Sequence, residues 1–401
     1  MMTSSESTKR PLSLKDRREA TLRRTGVAEK YRMPLDKPPS VFFWILIIVA
    51  SFVMLGLVMV LSSSSVTSLH SGLSAWSMFQ RQLLWVLLGG IAMWTAFKMP
   101  YQSWRNPRLL IPAVGVVLFL NTFVFLKGQL TNGAKAWLDI GPFRMQPSEF
   151  MKIATVLFCA NLLSHRHRSV QIVSIVLGPM IAAMIITAGL SGLQKDYGGA
   201  LIFAGIILLM MFMAALPKRQ LLATTAGVGF MGFLVLNFAS NASQRMFAFL
   251  HLEETKGDVG YQVYQSLLSI ANGGATGTGI GSGTSKWGYV PLAYSDFIFA
   301  VIAEELGIFG TLMVIGGFLC LVFFGIQVAV SSPDTHGAFI AGGVTAWFGF
   351  QAVINIGGVV GTLPMTGLTL PFLSYGGSSM IASMAAAGLL LNVARHVKSD
   401  S

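Results

Sequence analysis

Apolar runs of about twenty residues recur along the chain from position 41 almost to the C-terminus, with short polar segments between them. A helix of that length crosses the ~30 Å hydrocarbon core of a bilayer. Open sheets leave backbone groups unpaired in lipid, and the alternating pattern of barrel strands is not seen, so we expect an all-α polytopic membrane protein. The pattern predicts about ten transmembrane helices, at 41–61, 81–98, 108–126, 147–164, 170–190, 198–216, 220–240, 297–326, 337–361 and 373–394.

The segments between the apolar runs divide the rest of the chain. Residues 1–40 are polar and basic and predict a disordered cytoplasmic tail, residues 41–395 form the membrane domain, and residues 396–401 form a short C-terminal tail. The serines at 62–65 are expected to begin a loop. The eighth run is long enough to tilt or kink. Residues 241–295 predict one large loop, which contains a short interfacial helix near 261–270.

Composition supports a membrane protein, since 53% of the residues are hydrophobic and only 11% are charged. The net charge of +12 could indicate nucleic-acid binding, but the sequence contains no nucleic-acid recognition fold. Ten of the basic residues lie in the first forty positions, where they specify topology and attract anionic membrane lipids. Cys159 and Cys320 lie in apolar runs and have neither metal nor disulfide spacing.

The basic residues of the loops orient the helices. With the N-terminal tail in the cytoplasm, the basic loops all fall on the cytoplasmic side, and the even number of helices places the C-terminus there too. These loops contain Lys98, Arg105 and Arg108; residues 165–168; Lys218 and Arg219; and Arg395 and Lys398. The segments 127–146 and 241–295 then lie outside, and Asp296 lies at the outer membrane boundary. Any chemistry is therefore expected on the extracytoplasmic side.

Carboxylates in and beside the eighth run are the first candidates for a functional site. Asp296 directly precedes the run, and Glu304 and Glu305 lie inside it. An Asp at this position is also a common helix cap, and that structural role stays open. Interhelical hydrogen bonding or protonation would explain the two glutamates.

A second group of charges precedes the fourth and sixth runs. Glu149 and Lys152 have i, i+3 spacing, so they form either a structural ion pair or a pair that holds a lipid phosphate. Asp196 either caps the sixth helix or faces the same outer region. The glycine run at 272–283 is a poor nucleotide signature, and it indicates either a backbone that approaches a ligand closely or a flexible outer loop. The turn at 361–379 is expected to be ordered and re-entrant.

Five motifs, in this order, resemble the SEDS family (shape, elongation, division and sporulation proteins). The resemblance covers nearly all of residues 40–395. Its carriers are NGAKAWLDIGPFRMQPSEFMK, QKDYGG, YQVYQSLLSIANGG with its glycine run, SDFIFAVIAEELG, and LPMTGLTLPFLSYGGSS. It implies a ten-helix fold and a peptidoglycan glycosyltransferase that polymerises lipid II outside the bacterial cytoplasmic membrane, beside a class B penicillin-binding transpeptidase.

The resemblance also suggests roles for individual residues. Asp296 matches the family's catalytic aspartate, Glu149 and Lys152 match a polar pair in its central cavity, and Arg245 matches a loop arginine. We add Asp196, Ser374 and Tyr375 as candidate substrate contacts, because they lie in the matching motifs. The chain departs from the family pattern at Ala136, at Lys195 and at 291–296, where PLAYSD replaces PEAHTD, and Lys135 and Lys195 are candidate replacements for the lost contacts with diphosphate.

The sequence thus predicts an inverting lipid II polymerase with an Asp general base, which serves elongation, division or sporulation. No organic cofactor is expected, and a divalent cation is an alternative source of positive charge for the diphosphate. Two other readings stay open. A lipid II flippase or other transporter would use the intramembrane charges as a path, and a non-catalytic scaffold would only recruit the transpeptidase.

Overall fold

The computed structural model describes residues 38–131, 134–141, 143–165 and 173–397. Most of the predicted basic tail, most of the C-terminal tail, the loop arginines at 166 and 168, and positions 132, 133 and 142 of the first outer motif lie outside these ranges. The described chain is mainly helical, with one small sheet.

The long helices come in two groups, separated by three shorter ones. Helices α1–α7 are Ser40–His70, Ser77–Lys98, Pro107–Lys127, Pro147–His165, Val173–Leu193, Tyr197–Met213 and Lys218–Phe238. The shorter helices are α8 (Ser240–Leu250), α9 (Leu252–Thr255) and α10 (Tyr261–Gly273). The last long helices are α11 (Ile298–Val330), α12 (Thr335–Val359) and α13 (Gly377–Ala394). The predicted outer loop 241–295 is therefore largely helical.

The described part of the chain contains ten helices of 17 or more residues, and they overlap the ten predicted runs in order. Seven of them are long and apolar enough to cross a bilayer, namely α1, α3, α5, α7, α11, α12 and α13. Helix α6 is apolar but short, and α4 contains Glu149 and Lys152 in its first two turns. The chain is a multi-pass membrane protein, and the number of crossings stays a prediction.

Helix α12 lies at the centre of the bundle, where it contacts α4, α6, α11 and α13. Helix α2 packs along α13, the most extensive helix pair in the described residues. Small residues make this approach close: a Cβ on Gly377 would lie 2.6 Å from the ring of Trp85. These contacts bring the start of α13 against the start of α2.

One expectation about local structure is wrong, and one element of the structure was not predicted. The serines at 62–65 do not begin a loop, because α1 continues to His70. Ser63 Oγ donates to the Met59 carbonyl at 2.7 Å, which satisfies a hydroxyl inside a helix. The first outer motif contains β-structure, with β1 (Gln129–Thr131), β2 (Ala134–Ile140) and β3 (Phe143–Met145) in an antiparallel sheet of order β1-β2-β3.

The predicted kink in the eighth run is present. Helix α11 is broken at Gly307, where φ is +65° and ψ is −157°. The glycine run packs against this break, because the amide of Gly279 donates to the Glu305 carbonyl at 3.0 Å and that of Ile308 donates to the Gly274 carbonyl at 3.1 Å. The positive φ at Gly277 and Gly307 explains why glycine is required at this close approach.

Glu304 anchors the loop that follows α10. Its Oε1 accepts hydrogen bonds from Asn272 Nδ2 at 3.0 Å, Thr284 N at 2.8 Å and Thr284 Oγ1 at 2.6 Å, and its Oε2 accepts one from Ser285 N at 3.1 Å. Glu305 accepts hydrogen bonds from Ser62 Oγ at 2.6 and 2.8 Å. Both glutamates therefore make the interhelical hydrogen bonds that one reading of the sequence offered, and Glu304 fixes the loop on α11.

Replacing Glu304 tests this anchor. Glu304→Gln turns one accepting oxygen into a donor that faces other donors, so we expect a loss of roughly 1–3 kcal/mol in the free energy of unfolding. The measurement is the thermal unfolding midpoint of the detergent-solubilised protein. Glu254→Gln is the matched control, since that side chain is 71% exposed. Equal midpoints for the two variants would contradict the anchoring role.

Candidate active site

A cavity of about 980 Å³ lies among α2, the sheet, α4, α8, α10 and the two segments that precede α11 and α13. Its lining is rich in charge and hydroxyl groups. The charged lining residues are Arg81, Arg144, Glu149, Lys195, Asp196, Arg245, Asp258 and Asp296. A cavity of this size with convergent polar groups is the expected form of a binding or catalytic site.

Asp296 lies in the turn that precedes α11. The N-cap of α11 is Phe297, with no side-chain cap hydrogen bond, so the capping interpretation of Asp296 is wrong. Its carbonyl accepts a hydrogen bond from Asn355 Nδ2 at 2.9 Å, and the neighbouring Ser295 carbonyl accepts one from Ser374 Oγ at 2.6 Å. Backbone contacts therefore hold Asp296, and its half-buried carboxylate faces the cavity.

The surroundings of Asp296 change its acidity. Burial raises the pKa of this carboxyl to about 7, and the Ser295 hydroxyl and the Arg245 charge partly offset the rise. A Cβ placed on Gly367 would lie 3.7 Å from Asp296 Oδ2 and 3.8 Å from Arg245 Nη1, so both side chains approach the same open point. An acid that titrates near neutrality in a cleft is suited to proton transfer.

Glu149 and Lys152 form the predicted ion pair. Lys152 Nζ lies 2.7 Å from Glu149 Oε1, and the two side chains are only 5% and 1% exposed. Lys152 also donates to Gln351 Oε1 at 2.9 Å and lies 5.2 Å from the centre of the Trp347 ring. Glu149 Oε2 has no hydrogen-bond partner in the described structure, and Glu149 lines the cavity. The pair is thus a buried structural contact with one oxygen left for another group.

Gln351 and Asn355 connect this pair to Asp296. They lie one turn apart on α12 and are buried. Gln351 Nε2 donates to the Thr369 carbonyl at 2.7 Å, and Asn355 Nδ2 donates to the Leu368 carbonyl at 2.6 Å. Two amides therefore hold consecutive carbonyls of the segment before α13, which confirms the expected ordered turn.

The remaining sequence candidates divide between the cavity and its surroundings. Asp196 both caps α6, by accepting from Gly199 N at 2.8 Å, and lines the cavity, so its two suggested roles are compatible. The pKa of the Asp196 carboxyl is raised, mainly because the side chain is buried. Lys195 lines the cavity with a φ of +64°, which a proline cannot adopt. Lys135 is exposed and is not part of the lining, so the structure does not bring it to the site.

Ser374 and Tyr375 have different positions. Ser374 is buried and accepts a hydrogen bond from Leu370 N at 2.7 Å, so it braces the segment from behind the lining. Tyr375 lines the cavity, and its ring packs edge-on against Tyr294 at 5.6 Å. Burial raises the pKa of the Tyr375 hydroxyl, and the charge of Arg81 and a hydrogen bond from it partly offset that rise.

Sequence reasoning missed Arg81 and Arg144. Arg81 lies in the first turns of α2, where a single arginine is typical of a membrane boundary. Arg144 lies in a strand that was not predicted, and its Nε is 3.0 Å from Asp139 Oδ1. Among the described residues, no group of three or more His, Cys, Asp or Glu side chains is suited to hold a metal ion. The divalent cation stays a prediction.

Comparison with known proteins agrees with this fold. Residues 43–399 match the cell cycle protein family FtsW/RodA/SpoVE. The chain is 36% identical over 355 residues to a probable peptidoglycan glycosyltransferase FtsW of Geobacter metallireducens, which covers 88% of this chain and 94% of that one. It is 34% identical over 354 residues to stage V sporulation protein E of Bacillus subtilis, covering 88% and 96%.

Solved structures give the same result. A chain from a study of polymerization and crosslinking by a peptidoglycan synthase complex aligns with a TM-score of 0.73 at 28% identity, over 88% of this chain and 96% of that one. The rod shape determining protein RodA of Thermus thermophilus aligns with a TM-score of 0.65 at 27% identity, over 89% and 97%. The fold is that of a polytopic membrane protein of the SEDS class. The chain belongs to the FtsW/RodA/SpoVE family.

The buried ion pair yields a prediction about stability and activity. Lys152→Met leaves the Glu149 carboxylate buried without its cation, so we expect the free energy of unfolding to fall by roughly 3–5 kcal/mol. The double variant Glu149→Gln/Lys152→Met removes both charges and should regain most of that stability. Thermal unfolding in detergent measures both effects.

Activity separates the two roles of the pair. We expect the double variant to stay far below wild-type activity although it is stable, because a neutral amide replaces the Glu149 carboxylate in the cavity lining. A stable and fully active double variant would restrict the pair to a structural role.

Proposed function

We propose that this chain is a peptidoglycan glycosyltransferase that polymerises lipid II, with Asp296 as the general base. The observation that carries the proposal is the half-buried Asp296 carboxylate, which faces a large polar cavity beside Arg245. The names of the relatives support the reaction class, since they share about a third of their residues with this chain over most of its length.

The base solves a specific chemical problem. The acceptor is a sugar 4-hydroxyl, which attacks poorly while it keeps its proton. Asp296 takes that proton as the hydroxyl oxygen bonds to the anomeric carbon of the donor, and the bond from that carbon to the donor diphosphate breaks. A general base contributes roughly 10²–10⁴-fold to such a step. An α-linked donor and a β-linked product require one inversion, so no covalent intermediate is needed.

The leaving diphosphate needs positive charge. It departs with the electron pair of the broken bond and gains negative charge as it does so. Arg245 approaches the same point as Asp296. Its Nη1 donates one long hydrogen bond, of 3.4 Å, to the Met365 carbonyl. Among the described residues no carboxylate lies within 4.0 Å of Arg245, so its guanidinium is available to a phosphate. We assign Arg245 to the leaving diphosphate.

The setting follows from topology and from the relatives. We place the chain in the bacterial cytoplasmic membrane, with both termini in the cytoplasm and the cavity at the outer side. The structural relative from a peptidoglycan synthase complex that polymerises and crosslinks supports a transpeptidase partner in general. We propose that this partner is a class B penicillin-binding transpeptidase. Elongation, division and sporulation stay equal alternatives for the cellular role.

The flippase reading loses part of its basis. It used Glu304 and Glu305 as intramembrane charges on a transport path. Both side chains are buried, are hydrogen-bonded to protein groups and are not part of the cavity lining. No observation specifically favours transport or a purely scaffolding role.

The direct test is Asp296→Asn. Asparagine has nearly the same shape but cannot take the proton, so we expect glycan synthesis from labelled lipid II to fall by about 10²-fold or more. The assay is gel analysis of glycan strands made by purified protein with its transpeptidase partner. Glu253→Gln, an exposed carboxylate in the same outer segment, is the control and should keep its activity. Polymer synthesis by Asp296→Asn at the rate of this control would reject the base assignment.

The acidity of Asp296 predicts the pH profile. The base must be ionised, so with a pKa of about 7 the rate should rise with pH up to neutrality and fall about tenfold per unit well below it. Ser295→Ala removes a hydroxyl that lowers this pKa, so the acidic limb should move to higher pH.

Rates of glycan synthesis between pH 5 and 9 measure this limb. Arg219→Gln, which removes an exposed charge at the start of α7, should leave it in place. An acidic limb that Ser295→Ala does not move would assign the titration to another group.

A further inference from the structure

The proposed reaction joins two lipid-linked molecules, and each of them carries a diphosphate. Only the donor diphosphate leaves, whereas the acceptor keeps its own. Given the proposed function, the cavity must therefore accommodate two diphosphates at once, and Arg245 beside Asp296 accounts for one. Each additional diphosphate in a partly buried site requires its own positive charge.

Three cations of the cavity lining have no carboxylate within 4.0 Å in the described part of the chain, namely Arg81, Lys195 and Arg245. Arg144 is ion-paired with Asp139. Lys195 is exposed, as Arg81 is, but its ammonium group is a point charge, whereas a guanidinium can bind a phosphate through two parallel hydrogen bonds. Arg81 is thus the remaining guanidinium of the lining that is available to an anion.

Arg81 and Arg245 act on different groups. Arg245 Nη1 and Asp296 Oδ2 both lie near the open point at Gly367, whereas Arg81 precedes Gln82, which is hydrogen-bonded to Ser374 O and Gly376 N on either side of Tyr375. The charge of Arg81 also offsets part of the rise in the pKa of the Tyr375 hydroxyl. Arg245 lies on α8 and Arg81 on α2, at separate parts of the cavity wall. The lining therefore has two cationic neighbourhoods, and Asp296 belongs to that of Arg245.

The protein fixes the surroundings of Arg81. The adjacent Gln82 is fully buried, and its Nε2 donates to the Ser374 carbonyl at 3.2 Å. Tyr375 N donates to the Tyr294 carbonyl at 2.9 Å, which ties the same segment to the chain two residues before Asp296. These contacts hold the backbone around Arg81 and Tyr375 at a set position relative to the base.

The position of Arg81 also suits a lipid-linked ligand. Leu83, Leu84 and Leu87 follow on α2 and are 38%, 39% and 60% exposed, as expected for a surface that faces acyl chains. Arg81 thus lies where the cavity lining meets the lipid-facing surface. A diphosphate bound there can keep its polyprenyl chain in the membrane while its sugar extends into the cavity.

We propose that Arg81, together with the Tyr375 hydroxyl, forms a second anion subsite that holds the diphosphate of the acceptor, the one that stays attached to its polyprenol. Arg245 serves the donor diphosphate, which leaves. The ligand class of the second subsite is a polyprenyl diphosphate. The other source of the same chemistry is a phospholipid headgroup at an ordinary interfacial arginine, and the test separates the two.

Binding stoichiometry is the primary test. Full-length Asp296→Asn protein binds lipid II without consuming it, so native mass spectrometry in detergent can count bound molecules. We expect two lipid II molecules per chain in this background, and one when Arg81→Gln is added. Arg219→Gln is the matched control, since it is also an exposed arginine at the start of a long helix, and it should leave two.

Competition identifies the headgroup. Excess phosphatidylglycerol should leave both lipid II molecules bound. Displacement of the second molecule by phosphatidylglycerol would assign Arg81 to phospholipid and overturn the proposal, as would two bound molecules in the Arg81→Gln protein.

Kinetics of otherwise wild-type protein give a second readout. In Arg81→Gln, the loss of one charge-assisted contact should raise the lipid II concentration at half-maximal rate by about tenfold or more, with a smaller change in kcat. Arg81→Lys keeps the charge and should restore part of the affinity, which a purely structural role would not predict. An equal loss of kcat in Arg81→Gln and Arg81→Lys with unchanged half-saturation would contradict the subsite.

Failure of the subsite differs from failure of the proposed function. Wild-type polymerisation with two lipid II molecules bound in the Arg81→Gln background rejects the subsite alone. Arg81-dependent binding of two molecules without any polymer from wild-type protein rejects the proposed function and leaves the subsite in place.

Discussion

The buried ammonium group of Lys152 is the constraint on which the site depends. A charge in the middle of a helix bundle is stable only if its surroundings replace water. Here Glu149, Gln351 and the Trp347 ring replace it. Because Gln351 uses its NH2 group to hold the Thr369 carbonyl, the burial of this one cation also fixes the segment that forms the cavity wall.

The hydrogen bonds from the side-chain amides of Gln351 and Asn355 on α12 extend this constraint to Asp296, the proposed base. Asn355 lies one turn from Gln351 and holds both the Leu368 carbonyl and the Asp296 carbonyl. The ion pair, the wall segment and the proposed base are therefore parts of one hydrogen-bonded unit. Because this hydrogen-bonded unit borders the cavity, the Asp296 side chain is half-buried. A fully exposed carboxylate would be a weak base, and one sealed in the core would keep its proton, so partial burial gives the useful acidity.

The order of the helices could be predicted from the sequence, because the length and hydropathy of a run are local properties. The end of α1 could not, because Ser62 is stabilised inside the helix by Glu305, 243 residues away. The sheet was missed because strands of three, seven and three residues are too short for a clear alternating pattern along the chain. Arg81 was missed because an isolated arginine at a helix start is typical of any membrane boundary, and only the packing of α2 on α13 brings it to the cavity.

The carboxylates show why sequence alone could not separate structural from reactive residues. Asp296, Glu149 and Glu304 all lie at or near the start of an apolar run. Glu304 has hydrogen-bond partners for both of its oxygens, from the end of α10 and from the loop that follows it. Glu149 has partners for only one oxygen, and the carboxylate of Asp296 is influenced mainly by burial, with Ser295 and Arg245 nearby. The protein supplies fewer hydrogen bonds to the carboxylates of Glu149 and Asp296 than to that of Glu304. A carboxylate with fewer protein partners is freer to act on a substrate. Spacing along the chain does not show which of these contacts form, so the distinction exists only in the folded protein.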